Sequence, residues 1–272
     1  MFARQRWRNL IHLTQQDDVT VLGFSWRRSR AVGYSVQAYL VRGVLIDSGF
    51  PAAHESFAAW LRLTGVRGAL ITHHHEDHAG NLRTLAEHGI PVTADPRTID
   101  YAARRQRIPF YRRFTWQSPE PTVGALKAFR DDTLRLIATP GHSADHHAVW
   151  DGQTGTLFAG DLYLGAKVRV AHASEDPRAL LVSLRAMIAR APARIFCSHR
   201  GLLPRGVAQL AHKADWLEHT IHTIDTRIAA GWTDLAIRRD VLGARPMTHW
   251  FSQGEYSPDN MVRALRASSG IA

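Results

Sequence analysis

His73-His74-His75-Glu76-Asp77-His78 follows the apolar run Gly68-Ala69-Leu70-Ile71-Thr72 and precedes Ala79-Gly80-Asn81-Leu82-Arg83-Thr84-Leu85. A short apolar run followed by helical spacing makes the stretch a loop that leaves a buried strand and enters a helix. Its pattern is His-x-His-x-Asp-His, three imidazoles and a carboxylate that one tight turn can point inward. A divalent ion such as zinc takes about four nitrogen, oxygen or sulfur ligands at roughly 2.0–2.3 Å. Imidazoles packed together repel one another once protonated, so the group is most stable neutral and around a cation. A cloning tag would sit at a terminus and would not interleave acids between a strand and a helix. His74 and Glu76 alternate with the ligand positions and are expected to point away.

Working outward on the N-terminal side, Val19–Phe24 and Ser35–Val41 carry the β-branched and aromatic residues of strands. Arg42-Gly43 turns the chain into a third strand, Val44-Leu45-Ile46, which ends at Asp47-Ser48-Gly49. A carboxylate at the mouth of a buried strand either supports a metal ligand or caps a turn, and both readings of Asp47 stand. Pro51 opens a helix through Thr64 with Phe57, Trp60, Leu61 and Thr64 on one stripe, and Gly65 stops it. After the histidine loop a helix buries Leu82 and Leu85 and stops near Gly89, and Ile90–Ala94 is a further strand. This order of elements predicts α/β layering.

On the C-terminal side three more apolar runs end in metal-type residues. Thr133–Ala138 leads to Gly141-His142, and Thr154–Ala159 leads to Gly160-Asp161 after a hairpin turn at Asp151-Gly152-Gln153. Ala193–Cys197, read as the last strand, leads to His199-Arg200-Gly201. The glycine beside each lets the backbone turn sharply. Asp176 caps and Pro177 starts a helix with Leu180, Leu181, Leu184, Met187 and Ile188 on its stripe. From Pro204 the pattern is helical, with a long stripe from Val207 to Ile228, a second helix capped by Thr233 and a third by Ser257-Pro258. Residues 1–203 are therefore expected to form the catalytic domain and 204–272 a C-terminal helical extension. Within the former, residues 101–121 break the pattern with interleaved arginines and aromatics, such as Arg104, Arg105, Phe110, Tyr111 and Trp116. That is the make-up of a lid helix, and equally of a groove for bases and phosphates.

His73, His75, Asp77, His78, His142, Asp161 and His199 are too many for one tetrahedral ion and suit two ions sharing Asp161. The chain here resembles the metallo-β-lactamase-fold hydrolases. The likeness runs from about residue 19 to 201, through Leu45–Gly49, Thr72–His78, Thr139–Ser143, Gly160-Asp161 and Ser198–Gly201. The resemblance implies a four-layer αβ/βα sandwich, with His73, His75 and His142 on one ion, Asp77, His78 and His199 on the other, and Asp161 between them. It also implies a metal-bridging hydroxide as nucleophile, oriented by Asp77, which then passes a proton to the leaving group. Zinc is the first expectation for both ions, with iron or manganese accepted by the same ligands depending on supply. Asp161 stands where the best-known zinc β-lactamases carry cysteine, so antibiotic hydrolysis is not expected. The closing helices are similar to the appendage of lactamase-β-2-like proteins, some of which are endoribonucleases.

Composition frames the substrate. The 272 residues are 45% hydrophobic and 21% charged, an ordinary soluble balance, and no segment approaches the length of a membrane span. The single cysteine, Cys197, excludes an internal disulfide framework and reads as a small core residue, and the chain is expected to be cytoplasmic. The basic N-terminal run Met1–Arg8 lacks a signal peptide's apolar stretch. The net charge of +10 is nearly all arginine, lysine standing only at 127, 167 and 213. Arginine suits phosphate or anionic metabolites, and it is also what a GC-rich genome writes at indifferent surface positions. The first reading is hydrolysis of a small-molecule ester, thioester or lactone, an anionic substrate fitting the basic surface. A metal-dependent ribonuclease is second, and a non-catalytic nucleic-acid-binding or metal-sensing protein on the same scaffold third. Tyr163 and His172 are further cleft candidates, Asp145, His146 and His147 either assist at the site or satisfy local backbone, and a homo-oligomer is left open.

Overall fold

The computed structural model describes residues 10–122, 124 and 126–269, so the basic N-terminal run lies outside the described residues. The chain forms two compact halves, Met1–Leu136 and Ile137–Ala272.

The first half is built on a six-stranded sheet in sequence order: β1 (Ile11–Gln16), β2 (Val19–Phe24), β3 (Val36–Val41), β4 (Val44–Ile46), β5 (Gly68–Leu70) and β6 (Val92–Thr93). β1 to β4 run antiparallel, and β4, β5 and β6 are parallel. Every residue of β4 and β5 is buried, as expected for parallel strands that read as unbroken apolar runs. The β3–β4 turn places Arg42 and Gly43 at positive φ, matching the twist of the strands it joins. Around the sheet lie α1 (Arg27–Ala31), α2 (His54–Leu61), α3 (Glu76–Ala79), α4 (Leu82–Glu87), α5 (Pro96–Ala102) and α6 (Phe110–Trp116). Phe24, Phe50, Phe57 and Trp60 anchor the core, and the Phe24 ring centroid lies 5.9 Å from that of Phe50.

Three sequence expectations change here. β1 has no counterpart among the expected strands, because five of its six residues are exposed and it carries no alternating pattern. α2 ends at Leu61 rather than Thr64, where the Thr64 hydroxyl folds back onto the carbonyls of Trp60 and Leu61. The second part of the histidine stretch is not loop but the single helical turn α3.

The second half carries β7 (Leu134–Ala138), which starts just before the division, β8 (His147–Asp151), β9 (Thr156–Phe158), β10 (Ala171–His172), β11 (Arg194–Cys197), β12 (Gly201–Leu202) and β13 (Tyr256–Ser257). Five of them form a sheet in the order β12-β11-β9-β8-β7, and β10 pairs with β13. β11 is thus not the last strand. The two later strands are only two residues each, too short to leave a periodic signal. Its helices are α7 (Pro177–Ala189), α8 (Gly206–Ala229), α9 (Asp234–Ile237), α10 (Met247–Phe251) and α11 (Pro258–Ser268). The caps fall where the sequence places them: Asp176 accepts from the amides of Arg178 and Ala179, Thr233 from Ala236, and Ser257 from Asp259. The α8 stripe of Leu210, Ala214, Leu217, Ile221, Ile224 and Ile228 joins Leu157, Ala159, Leu184 and Ile195 in one core. The closing helices are therefore built into the same core as the strands before them. Among the described residues no helix is long and apolar enough to cross a membrane.

Candidate metal centre

In the first half the donor group stands where the parallel strands β4 and β5 end. Their register sets Ile46 beside Leu70, so Asp47 and Thr72 leave the sheet side by side. Asp47 adopts a φ of +62°, a left-handed conformation that aspartate tolerates better than most residues. Its carboxylate accepts from the Thr72 amide at 2.8 Å and the Thr72 hydroxyl at 3.0 Å, and lies 2.8 Å from His78 Nδ1. A second grip falls on the His78 carbonyl, which takes both the amide and the hydroxyl of Ser48. His73 Nε2 is 3.0 Å from His75 Nδ1, and the His73 ring centroid is 4.2 Å from that of His78. His73, His75, Asp77 and His78 are all buried.

The alternating residues turn elsewhere. His74 packs on Tyr101, with ring centroids 4.5 Å apart. Glu76 is buried and accepts from Nε and Nη2 of Arg112 at 3.0 and 2.7 Å. Arg112 itself is buried, so the basic segment sends one guanidinium beneath the histidine turn. Sequence reasoning missed this pair. A signal was present: Tyr111, Arg112, Thr115 and Trp116 share one stripe of α6, and all four are buried.

In the second half, register brings distant residues together. Phe158 of β9 pairs with Phe196 of the parallel β11, so Asp161 and His199 each stand three positions beyond the same rung. Val149 of β8 pairs with Phe158 in the antiparallel sense, which sets His146 opposite Asp161. His199 Nε2 lies 3.3 Å from Asp161 Oδ1, and His142 Nε2 lies 3.3 Å from Asp161 Oδ2. The Asp161 amide donates to His146 Nε2 at 3.0 Å, which makes that nitrogen the acceptor and leaves Nδ1 to donate to the Thr139 carbonyl at 3.1 Å. His146 is thereby a backbone brace for Asp161. Asp145 likewise accepts from Ser143, and His147 Nδ1 lies 2.9 Å from the Asp145 carbonyl.

His142 has a partner for which the sequence carries no signal: Glu175 Oε1 lies 2.9 Å from its Nδ1. The two are far apart in the chain and meet because Gly141 accepts a close approach. At φ +136° it lies so near α7 that a Cβ would be 2.3 Å from the Leu180 amide nitrogen. Tyr163 and Cys197 belong to the core of this half, and the Cys197 thiol donates to the Tyr163 carbonyl. Burial pushes that thiol up to about 11, so it is no nucleophile. His172 sits on β10 beside Ser174 and 3.1 Å from Glu255, outside the donor group of this half.

The donor chemistry of both groups fits a divalent cation. Each offers buried imidazole nitrogens and carboxylate oxygens, and His78 and His142 are each oriented through Nδ1 by a carboxylate, the usual support for a metal-ligating ring.

Comparison with known proteins agrees with this chemistry. Residues 31–199 match the family model described as the metallo-beta-lactamase superfamily. A beta-lactamase-like protein 2 homolog of Caenorhabditis elegans is 28% identical over 65% of this chain and 57% of its own. A hydroxyacylglutathione hydrolase of Gloeobacter violaceus is 29% identical over 72% of this chain and 77% of its own. One from a Synechococcus strain is 32% identical over 47% of each chain. The chain thus spans about half the length of the first two relatives it matches among these, the nematode protein and the Synechococcus enzyme. Among solved structures, a metallo-beta-lactamase family protein from Thermus thermophilus superposes with a TM-score of 0.66 at 17% identity, covering 92% of both chains. The metallo-beta-lactamase FIM-1 from Pseudomonas aeruginosa, in its mono-zinc form, gives 0.58 at 19% identity over 77% of this chain and 96% of its own. Both likenesses bear on the fold alone.

Proposed function

Since the chain belongs to the metallo-beta-lactamase superfamily, we propose that it is a metal-dependent hydrolase of a small-molecule ester, thioester or lactone, with thioesters first. The observation that carries this reading is the set of buried histidine and aspartate donors in each half, where one ring, His78 or His142, is already oriented through Nδ1 by a carboxylate. Thioesters come first because the relatives include enzymes named hydroxyacylglutathione hydrolase and, over 53% of this chain, a thioesterase of Emericella nidulans.

In this reading His73, His75, His142 and Asp161 would hold one divalent ion, and Asp77, His78 and His199 a second; the sharing of Asp161 between them belongs to the same proposal. Zinc suits these nitrogen and oxygen donors, and iron or manganese would be accepted by the same set. Bound there, the ions supply Lewis acidity, lowering the pKa of water and polarising the scissile carbonyl. The rest is work for the chain's own side chains. Asp47 and Glu175 fix the ring planes of His78 and His142 through Nδ1, so that Nε2 is the nitrogen each would offer a cation. His146 fixes the backbone at Asp161. Asp77 orients the attacking water, takes its proton, and returns a proton to the leaving thiolate or alkoxide. The division into a catalytic region 1–203 and a helical extension 204–272 is proposed in a functional sense, the extension shaping the substrate pocket. The buried free thiol of Cys197 fits a cytoplasmic setting.

A panel assay tests the proposal. Metal-loaded protein should release thiol from model thioesters, metal-depleted protein should not, and Asp77→Asn, which removes both the proton-handling carboxylate and a donor of the second ion, should lower kcat by about 10²–10⁴-fold. The net charge of +10 favours ribonuclease activity as the alternative. RNA cleavage by metal-loaded protein, with every ester, thioester and lactone left intact, would replace the present reading by that one.

A further inference from the structure

Of the lysines in the chain, Lys127 and Lys167 are exposed, whereas Lys213 of α8 is buried, only 4% exposed. It lies on the inward stripe of its helix, among Leu210, Ala214 and Leu217, where an apolar side chain would continue the pattern. Burying a cation is costly, so packing alone does not account for a lysine here. Beside it is a cavity of about 30 Å³, lined also by His142, Asp161 and Glu175. That is room for one or two waters, so Lys213 meets no substrate there. Its ammonium donates instead to the Leu162 carbonyl at 2.8 Å and lies 6.0 Å from the Tyr163 ring centroid. Burial lowers the ammonium to about 8, with Glu175, Cys197 and Asp161 acting in the opposite direction, so the group still carries its charge at neutral pH.

The carbonyl that Lys213 grips is the first one after Asp161. Asp161 has a demanding task, because Oδ1 lies 3.3 Å from His199 Nε2 and Oδ2 lies 3.3 Å from His142 Nε2. A small rotation of its backbone would take the carboxylate away from one ring or the other. On the near side the Asp161 amide is held by His146, and on the far side the Leu162 amide donates to the Ala159 carbonyl at 3.0 Å. The Leu162 carbonyl completes the set through Lys213. We propose that Lys213 is a positioning residue of the metal centre, which clamps the Leu162 carbonyl from α8 and so sets the aim of the Asp161 carboxylate. A constellation of donors works only when neighbouring groups lock it to within about 0.5 Å, and this tie makes α8 one of those groups. The inference rests on the metal-dependent reading given above and adds to it a residue that touches neither ion nor substrate.

Zinc affinity, measured by chelator competition on the full chain, tests the tie, and the melting temperature of metal-free protein separates it from a purely structural role. Lys213→Met keeps the apolar stem and removes both the donor and the charge. Loss of the charge alone would tighten zinc binding, since an ammonium repels a nearby cation. Lys213→Met should nevertheless bind zinc about 10-fold more weakly, as expected when an orienting partner is lost. Its metal-free form should melt within about 5 °C of wild type, the shift that one lost hydrogen bond brings in a chain of this size. Lys213→Arg, which keeps a donor, should bind zinc more tightly than Lys213→Met. Zinc binding by Lys213→Met as tight as in wild type, or tighter, overturns the inference. So does a metal-free Lys213→Met protein that melts far lower or fails to fold, because the lysine then serves the fold itself. Each of these results leaves the hydrolase reading standing, whereas wild type that binds no zinc removes that reading and this inference with it.

Discussion

Single residues carry the orientation of this site. His78 and His142 stand in different halves, yet each has Nδ1 against a carboxylate, from Asp47 and Glu175. Replacing either carboxylate by its amide keeps the shape and removes the charge. Asp47→Asn and Glu175→Gln are each expected to weaken metal affinity by about 10–100-fold with the fold intact, measured by chelator competition alongside far-UV circular dichroism. Unchanged affinity in both would mean that these contacts merely fill space. The candidate donor residues stood out in the sequence because each ends an apolar run, and those at 142, 161 and 199 have a glycine as neighbour or near-neighbour. Gly141, Gly160 and Gly201 do adopt positive φ. Asp47 was legible for the same reason, as a carboxylate ending a buried strand. Glu175 was not: it sits in a polar loop just before a helix cap, and only the close approach of Gly141 to α7 makes it a neighbour of His142.

At the scale of elements, strand register does most of the assembly. Asp161 and His199 meet because β9 and β11 are parallel neighbours, and His146 faces Asp161 because β8 runs antiparallel to β9. Periodicity identifies such strands but does not state which lie side by side. The edge strand β1 and the two-residue strands escaped notice because they are polar or too short to show a period. Segment 101–121 is more informative, since lid and groove both assumed that its arginines face outward. Arg112 instead faces inward, as a partner for buried Glu76. Removing one member of such a pair strands the other, so Arg112→Met should destabilise the fold by about 3–5 kcal/mol in denaturant melts. Adding Glu76→Gln should recover much of that loss. A single variant as stable as wild type would show that the pair is not a structural tie. Gly141→Ala offers a second check at this scale. The new methyl meets the α7 backbone, and a loss of roughly 1–3 kcal/mol is expected, where a neutral effect would contradict the packing described.

For the molecule as a whole, acid stability has identifiable sources. Asp131 is shifted down from 3.8 to about 2: burial would raise it, but the amides of Leu134 and Thr133, the Thr133 hydroxyl and the Arg67 guanidinium together outweigh burial. Asp259 is held near 2 chiefly by Arg245, against burial and with help from Ser257 and Arg238. Both groups release their proton more readily in the folded state, so their contribution is fully present above about 4 and is lost as pH falls through about 2. The Asp131→Asn, Asp259→Asn double variant should therefore have a lower melting temperature than wild type at pH 6, with the gap closing between pH 4 and 2. A gap that stays constant over that range would assign the loss to something other than these charges. The family, the α/β class and the metal-type residues could be read from the chain because their signals are local. The division into two compact halves, and the use of the closing helices in the core of the second, depend on contacts that no local pattern records.

If donor groups from the two halves jointly hold a pair of divalent ions, as proposed, metal stoichiometry is the most direct test. Protein stripped of metal, reloaded with zinc and freed of excess ion should retain two equivalents per chain by elemental analysis. His75→Ala and His199→Ala, one from each half, should each retain fewer. Wild type that keeps no zinc, iron or manganese under these conditions, or variants that bind as much as wild type, would contradict the account.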